Sequence, residues 1–381
     1  MSFRLFDGSL PAAFGLARLE RLSLVPRIAV AVLVTWVPLV ALALAQGRAV
    51  AEDPNGSLLG SVAVHARFLV ALPLLLIAPA VCGPRLRPIA QHFLDAGLVK
   101  EAEKGRFAAN IATTMRLRDS RLAAALLLVL AYLQTVLLVA VAAPELPALL
   151  HTVGPEEDRG ISLAAWWFVA VSQPVYFLVL FLFLYRVLLW WLFLWRTARL
   201  DLRLAVAHPD GAGGLGFLGL SIAPFAIPAF AIAAALSGGL AELVLRGEVS
   251  LAGRLYLILG IVVPLVGLFT GPVLLFAVRL AEAKRRGLLD YARLSDRQLR
   301  QFGPRWFRPG RDDDPILAGQ EFSAAADLGL IVARVQDMRV VPCRWKDVVP
   351  VAGAALLAFV PTAALEVPLA EFLPKLIHLL I

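Results

Sequence analysis

The sequence predicts an all-α fold: a polytopic transmembrane helix bundle of about seven spans, with amphipathic helices on the cytoplasmic side. Three observations predict it. Of the 381 residues, 60% are hydrophobic and 17% charged, whereas a soluble domain is about half apolar and a quarter charged. The apolar residues gather in blocks of about 18 to 25, the length that crosses a hydrocarbon core of roughly 30 Å. These blocks are apolar all round, not along one face as in the helices of a soluble core.

Residues 1–27 form an amphipathic cytoplasmic segment, with Leu10, Phe14, Leu19 and Leu22 interleaved with Arg18 and Arg21. The first block, 28–45, carries Trp36 and Pro38 and is read as a retained span. No small-residue cleavage site follows it, only Gln46-Gly-Arg48. The second block is 68–83, with Pro73 and Pro79, and the third is 122–143. The fourth, 163–195, has Trp166 and Trp167 at one end and Trp190, Trp191 and Trp195 at the other. Trp166 and Trp190 stand roughly 36 Å apart on a helix, a spacing that fits aromatic belts at two interfaces, with Arg186 snorkelling to the inner headgroups. The fifth block is 215–236 and the sixth 255–278, which closes a six-span bundle over 28–278. The seventh, within 348–381, is bracketed by Pro350 and Pro361 and reads as a span or a re-entrant hairpin.

Charge orients the blocks. With the N-terminus inside, the cytoplasmic segments hold four Lys/Arg before residue 28, eight across 85–121, four across 186–203 and fourteen across 279–346, which is 30 of the chain's 36. Such a bias places the N-terminus in the cytoplasm and, with seven spans, the C-terminus outside. The insert 85–121 reads as two amphipathic helices. The cytoplasmic region 279–347 reads as a basic helix over 282–302, a Pro/Gly/Asp loop, and a second helix over 321–338 whose apolar face is Phe322, Ala326, Leu330 and Ala333. The net charge of +8 lies beside apolar blocks, so the expected partner is the lipid bilayer and not nucleic acid. Two cysteines, Cys82 and Cys343, allow neither a disulfide framework nor a paired-cysteine metal site.

Three constellations carry the functional reading. His208-Pro-Asp-Gly-Ala-Gly-Gly-Leu-Gly216 contains a literal G-x-G-x-x-G. It follows a helix and not a strand, and no acid lies about 20 residues on, so no nucleotide and no other cofactor is expected. The favoured reading is a structural turn made by Pro209, Gly211, Gly213, Gly214 and Gly216, with Asp210 capping it; Gly216 and Gly219 also permit close helix packing. His208 and Asp210 are too few for a metal site. Second, prolines break the spans at Gln173-Pro174 after Ser172, at Pro224 and Pro228, and at Pro264 and Pro272 near Thr270. The carbonyls they free either find protein partners or line a wet path. Third, no Asp, Glu or Lys sits mid-span, which argues against an ion-coupled carrier. Asp312-Asp-Asp314 reads as a turn before Pro315.

His208-Pro-Asp-x-Ala-Gly-Gly-Leu-Gly-Phe-Leu218, Lys284-Arg-Arg-Gly-Leu-Leu-Asp-Tyr291 and Ala324-Ala-Ala-Asp-Leu-Gly329 resemble a family of uncharacterised bacterial polytopic membrane proteins. The resemblance covers about 196 to the end and implies a bacterial membrane location. The residues themselves lead to a homo-oligomeric pore or passive transport protein, with Ser172, Gln173, His208, Asp210 and Thr270 as candidate path or inner-interface residues. A scaffold that binds a partner through its cytoplasmic helices is the alternative, and a membrane enzyme using His208 and Asp210 comes third. The topology is directly testable. A reporter fused after Arg118 or Arg297 is expected to read cytoplasmic, and one after Glu157 periplasmic; the reverse pattern would overturn the orientation.

Overall fold

Proline determines where the spans of this protein bend, and side chains from neighbouring spans close the hydrogen bonds that the bends open. The computed structural model describes residues 3–6, 23–46, 58–142, 162–249, 251–306 and 320–364. Among the described residues, six helices are long and apolar enough to cross a membrane: Leu24–Ala45, Val62–Asp95, Arg121–Ala140, Leu163–Ala198, Gly216–Leu245 and Gly253–Leu274. The protein is an all-α, multi-pass integral membrane protein. Among the described residues there is no strand, only an isolated antiparallel bridge between Val99 and Leu202.

The first span is α1 (Leu24–Thr35) and α2 (Val37–Ala45), parted at Trp36 ahead of Pro38. The second is α3 (Val62–His65), a π turn (Ala66–Ala71) and α4 (Leu72–Asp95). α5 (Lys104–Arg118) lies across the basic end, and α6 (Arg121–Ala142) is the third span. The fourth is α7 (Leu163–Trp167), a π turn (Phe168–Ser172) and α8 (Gln173–Ala198). The fifth enters through 3₁₀ turns (Gly216–Ser221 and Ala223–Phe225) into α9 (Ala226–Leu245), and α10 (Leu251–Leu274) is the sixth. Beyond it come α11 (Ala277–Trp306), α12 (Gln320–Gln336), α13 (Trp345–Leu357) and α14 (Val360–Ala364).

A proline leaves the carbonyl four residues earlier without its helical donor, and at Pro38, Pro174, Pro228 and Pro272 that carbonyl has a side-chain partner. Each of these carbonyls accepts from a side chain of another span. Pro38 frees Val34, which accepts from Trp167 Nε1 at 3.0 Å. Pro174 frees Ala170, which accepts from the Tyr132 hydroxyl at 3.2 Å. Pro228 frees Pro224, which accepts from Cys82 Sγ at 3.5 Å. Pro272 frees Leu268, which accepts from Trp191 Nε1 at 2.8 Å. An unmet carbonyl in hydrocarbon costs several kcal/mol, so these bonds tie span to span where the helices are weakest. These four carbonyls are thus spent on packing.

The fifth and second spans form the centre, with 56% and 50% of their most apolar stretch buried, against 17% for the first and third. The C-terminal block lies beside the fifth span and runs the same way. A Cβ at Gly219 would meet the Asp347 carboxylate, and Ser237 Oγ lies 2.6 Å from Thr362 Oγ1. Between those two contacts the fifth span advances 18 residues and the last block 15, roughly 25 Å of rise.

Several boundaries and faces differ from the sequence reading. The second span begins at Val62, not at 68, so Arg67 lies inside a membrane helix and not in a loop. That span also continues to Asp95 through Pro79, Pro84 and Pro88, so the first half of the expected insert is its own end. Trp190 is fully buried, and Trp167 and Trp191 are spent on carbonyls. Only Trp166 and Trp195 face outward, 57% and 38% exposed, about 43 Å apart along the helix, which matches a bilayer with its headgroup regions. Arg186 does not snorkel outward: it is buried, because its helix face turns into the bundle with Val187 and Trp190. On α12, Ala326, Leu330 and Ala333 are exposed, while Val335 and the following Met338 are buried; the helix docks by its opposite face. The amphipathic stretch over 10–22 and the acidic run 312–314 lie outside the described residues.

Trp191 gives the carbonyl argument a test. A Cβ at Gly271 would collide with its indole, so the ring is held in one place. Trp191→Phe is expected to cost about 1 kcal/mol or more and to lower the thermal midpoint in detergent, whereas Trp166→Phe leaves it unchanged. Equal midpoints for the two variants would contradict the role given to Leu268.

Candidate functional site

At the basic end, the chain between the fourth and fifth spans is a hydrogen-bonded knot. Arg279 closes the end of α8, donating from Nε to the Ala198 carbonyl at 3.1 Å and from Nη2 to that of Arg199 at 3.3 Å. Arg203 N then donates to Leu98 O at 2.8 Å, and Ala205 N to Gly213 O at 3.1 Å. Gly211, Gly213 and Gly214 have φ of 65°, 65° and 92°, a region that other residues rarely adopt. Gly216 is needed for a different reason: a Cβ there would come within 3.0 Å of Asp210 Oδ2.

The Asp210 carboxylate organises this knot. Oδ1 accepts from Ala212 N at 2.8 Å and Gly214 N at 3.2 Å, and Oδ2 accepts from Gly216 N at 2.8 Å, at the positive end of the fifth span. His208 Nδ1 lies 2.9 Å from Oδ1. Burial pushes the Asp210 carboxyl upward, but the bonds from Ala212, Gly216, Gly214 and His208 outweigh it and hold it below the usual aspartate value. Arg339 fastens the knot to the last block, donating from Nη2 to Asp210 O at 2.8 Å and from Nη1 to Cys343 O at 3.2 Å. The carboxylate is occupied by loop amides, which removes the observation that motivated a His208–Asp210 enzyme. Beside the knot, a cleft of about 420 Å³ lies between 200–206 and α11. Its charges are largely paired: Lys100 holds Asp201 at 2.5 Å and pulls that carboxyl down, and Glu282 pairs with Arg286.

A second polar cluster lies inside the bundle, toward the opposite end. It is built where two π turns face each other; such turns insert a residue into a helix and recur at functional sites. Phe68, on the π turn of the second span, packs edge-on to Phe168 at 6.2 Å and to Tyr176 at 6.4 Å on the fourth. The Arg67 guanidinium lies 5.6 Å from the Tyr176 ring centre, within electrostatic reach of Glu242 on α9. Glu242 Oε1 accepts from Ser61 Oγ at 2.5 Å and from Ala63 N at 3.1 Å. Ser172 Oγ donates to Thr35 O at 2.7 Å. Gln173 follows the π turn, about 15 Å along the fourth span and one turn before Tyr176. It is fully buried, and neither its Nε2 nor its Oε1 has a hydrogen-bond partner among the described residues. Trp36 Nε1 is also buried without one, its ring 6.0 Å from that of His65.

The expected path residues therefore separate. Ser172 and Gln173 belong to the interior cluster, and His208 and Asp210 to the knot. Thr270 donates within its own helix to Val266 O at 2.8 Å, near the basic end of the sixth span. Among the described residues no group of three His, Cys, Asp or Glu could hold a metal ion. Sequence reasoning missed the pairing of Arg67 with Tyr176 and of Glu242 with Ser61 at this end of the bundle. The available signal was a lone arginine directly against an apolar block, which reads equally well as the end of a loop.

No family model, curated protein or solved structure matches the chain.

The knot yields a prediction with a pH sign. Because the Asp210 carboxyl titrates below its unfolded value of about 3.9, its contribution is present above that pH and is lost as pH falls through the lowered value. Asp210→Asn is expected to destabilise at pH 7 by about 1–3 kcal/mol and to flatten the loss of thermal midpoint below pH 4. Gly213→Val is expected to cut folded yield, since the new side chain meets Met338 Cε at 3.1 Å at a positive φ. His208→Ala stays close to wild type. A fall in yield for His208→Ala as deep as for Gly213→Val would overturn this ranking.

Proposed function

We propose that this protein is a passive transport protein for small, uncharged polar solutes, working as a homo-oligomer in a bacterial inner membrane with its basic end in the cytoplasm. The observation that carries the reading is Gln173. A buried amide with neither donor nor acceptor met costs about 1–3 kcal/mol for each unmet group, and leucine there would cost nothing. Such a residue is kept where water or a solute completes its bonds. Its surroundings supply a further donor in Trp36 Nε1, and Arg67 and Glu242 offset one another, so no net charge selects an ion. The concentration of Lys and Arg at one end and the family resemblance of the loop and basic-helix strings support the bacterial location and the orientation. The climb of α13 and α14 beside the fifth span supports a seventh span that ends outside.

A second reading, a scaffold that docks a partner on its cytoplasmic helices, is favoured by the exposed apolar Leu289, Leu299 and Leu330 on α11 and α12. Flux separates the two. Reconstituted vesicles assayed by stopped-flow light scattering with glycerol and urea are expected to shrink and refill faster than protein-free vesicles. Gln173→Leu is expected to remove most of that gain, on the order of tenfold, without loss of folded yield. Wild-type vesicles no more permeable than bare lipid would refute transport and leave the scaffold.

A further inference from the structure

Residues 3–6 belong to no helix or strand, yet they sit inside the bundle. Phe3, Leu5 and Phe6 are each 1% exposed. The Phe3 ring lies 4.7 Å from Phe193 and 5.8 Å from Trp190, and the Phe6 ring lies 6.1 Å from Phe183 and 6.0 Å from Phe225. The segment thus reaches the inner faces of the fourth span and of the entry to the fifth. Irregular backbone survives at membrane depth only where protein buries it or where it lines a wet cavity. Here two arginines meet its carbonyls: Arg87 Nε donates to Phe3 O at 3.2 Å, and Arg118 donates to Arg4 O. Its aromatic side chains pack on the fourth and fifth spans, and among the described residues no ladder of backbone bonds pairs with it.

Its position gives it a role. Along α8, Phe183 and Trp190 lie 10 and 17 residues beyond Gln173, roughly 15 and 25 Å toward the basic end. The segment therefore fills the space between the interior polar cluster and the basic surface. Its seat has a feature that a permanent hydrophobic core would not require: Trp190 Nε1 is buried there without a partner among the described residues. We propose that residues 3–6 are a removable plug over the basic-end half of the solute path, which leaves its seat transiently in the wild type, so that departure of Phe3 and Phe6 sets the rate of transport. The proposal rests on the transport reading above and names the regulation of that path. In the closed state the Gln173 cluster communicates only with the opposite face, and withdrawal of the plug exposes a passage lined by Phe183, Trp190, Phe193 and Phe225.

The chain carries its own reporter of this event. Cys82 is fully buried and bonds to the Pro224 carbonyl, and the next residue, Phe225, touches Phe6. Its exposure can be read without any solute moving. The experiment uses the full chain in vesicles in a Cys343→Ser background and follows the labelling rate of Cys82 with a small charged methanethiosulfonate. Phe3→Ala/Phe6→Ala is expected to raise that rate on the order of tenfold while the helical spectrum and the elution profile stay as in wild type. An unchanged labelling rate would overturn the plug. So would failure of the alanine variant to fold, which would make residues 3–6 a permanent part of the core. Faster labelling in vesicles that pass neither glycerol nor urea would uphold a removable plug over a hydrated cavity and refute the transport reading alone.

Discussion

Every backbone carbonyl that a proline frees inside a membrane must find a donor within the protein, because hydrocarbon offers none. The bundle is arranged around that requirement. Trp167, Tyr132, Cys82 and Trp191 each reach from one span to the carbonyl of another, and each of those carbonyls lies four residues before a proline. Apolar burial gives little net attraction between helices when lipid is equally apolar, so these bonds, together with small residues such as Gly271 and Gly238, account for much of the specific pairing of spans. Gly238 of the fifth span illustrates the second device: a Cβ there would come within 3.0 Å of the Ala63 backbone of the second.

The same requirement makes Gln173 informative. Beside four carbonyls met across spans, a fully buried side-chain amide with two unmet groups among the described residues stands out. Its neighbours are not obviously polar by sequence. The π turns of the second and fourth spans meet through Phe68 against Phe168, with Arg67 over Tyr176 one turn beyond Gln173. At the other end the logic is reversed. The Asp210 carboxylate has its capacity filled by loop amides, and Arg339 binds the loop to the last block, so the glycine-rich string builds a rigid return into the fifth span.

Much of this fold was legible in the sequence, because the length and evenness of apolar blocks measure a bilayer directly. The six described spans fall on the first six blocks, and the turn at Gly211, Gly213 and Gly214 was readable from residues that permit positive φ. Span ends were less legible. Arg67 interrupts an apolar run, and sequence alone does not separate a charge outside the membrane from one buried against Tyr176 and Glu242. The aromatic belt was over-read for a related reason: tryptophan is the residue of interfaces, but its Nε1–H is also the long-reaching donor that a proline-freed carbonyl needs. Residues 3–6 were not legible at all, since an irregular apolar tetrapeptide carries no periodicity. The partners of Gln173 were likewise hidden, because π turns have no reliable pattern in sequence.

The central claim is that the interior of this bundle is satisfied and dry at its proline-freed carbonyls and hydrated at Gln173. Water-edited solid-state NMR of the protein in bilayers reads this directly, by magnetisation transfer from water to the side-chain N–H groups of Gln173 and Trp191. The account predicts rapid transfer to Gln173 Nε2 and slow transfer to Trp191 Nε1, which is held by Leu268. Transfer to Gln173 as slow as to Trp191 would contradict it.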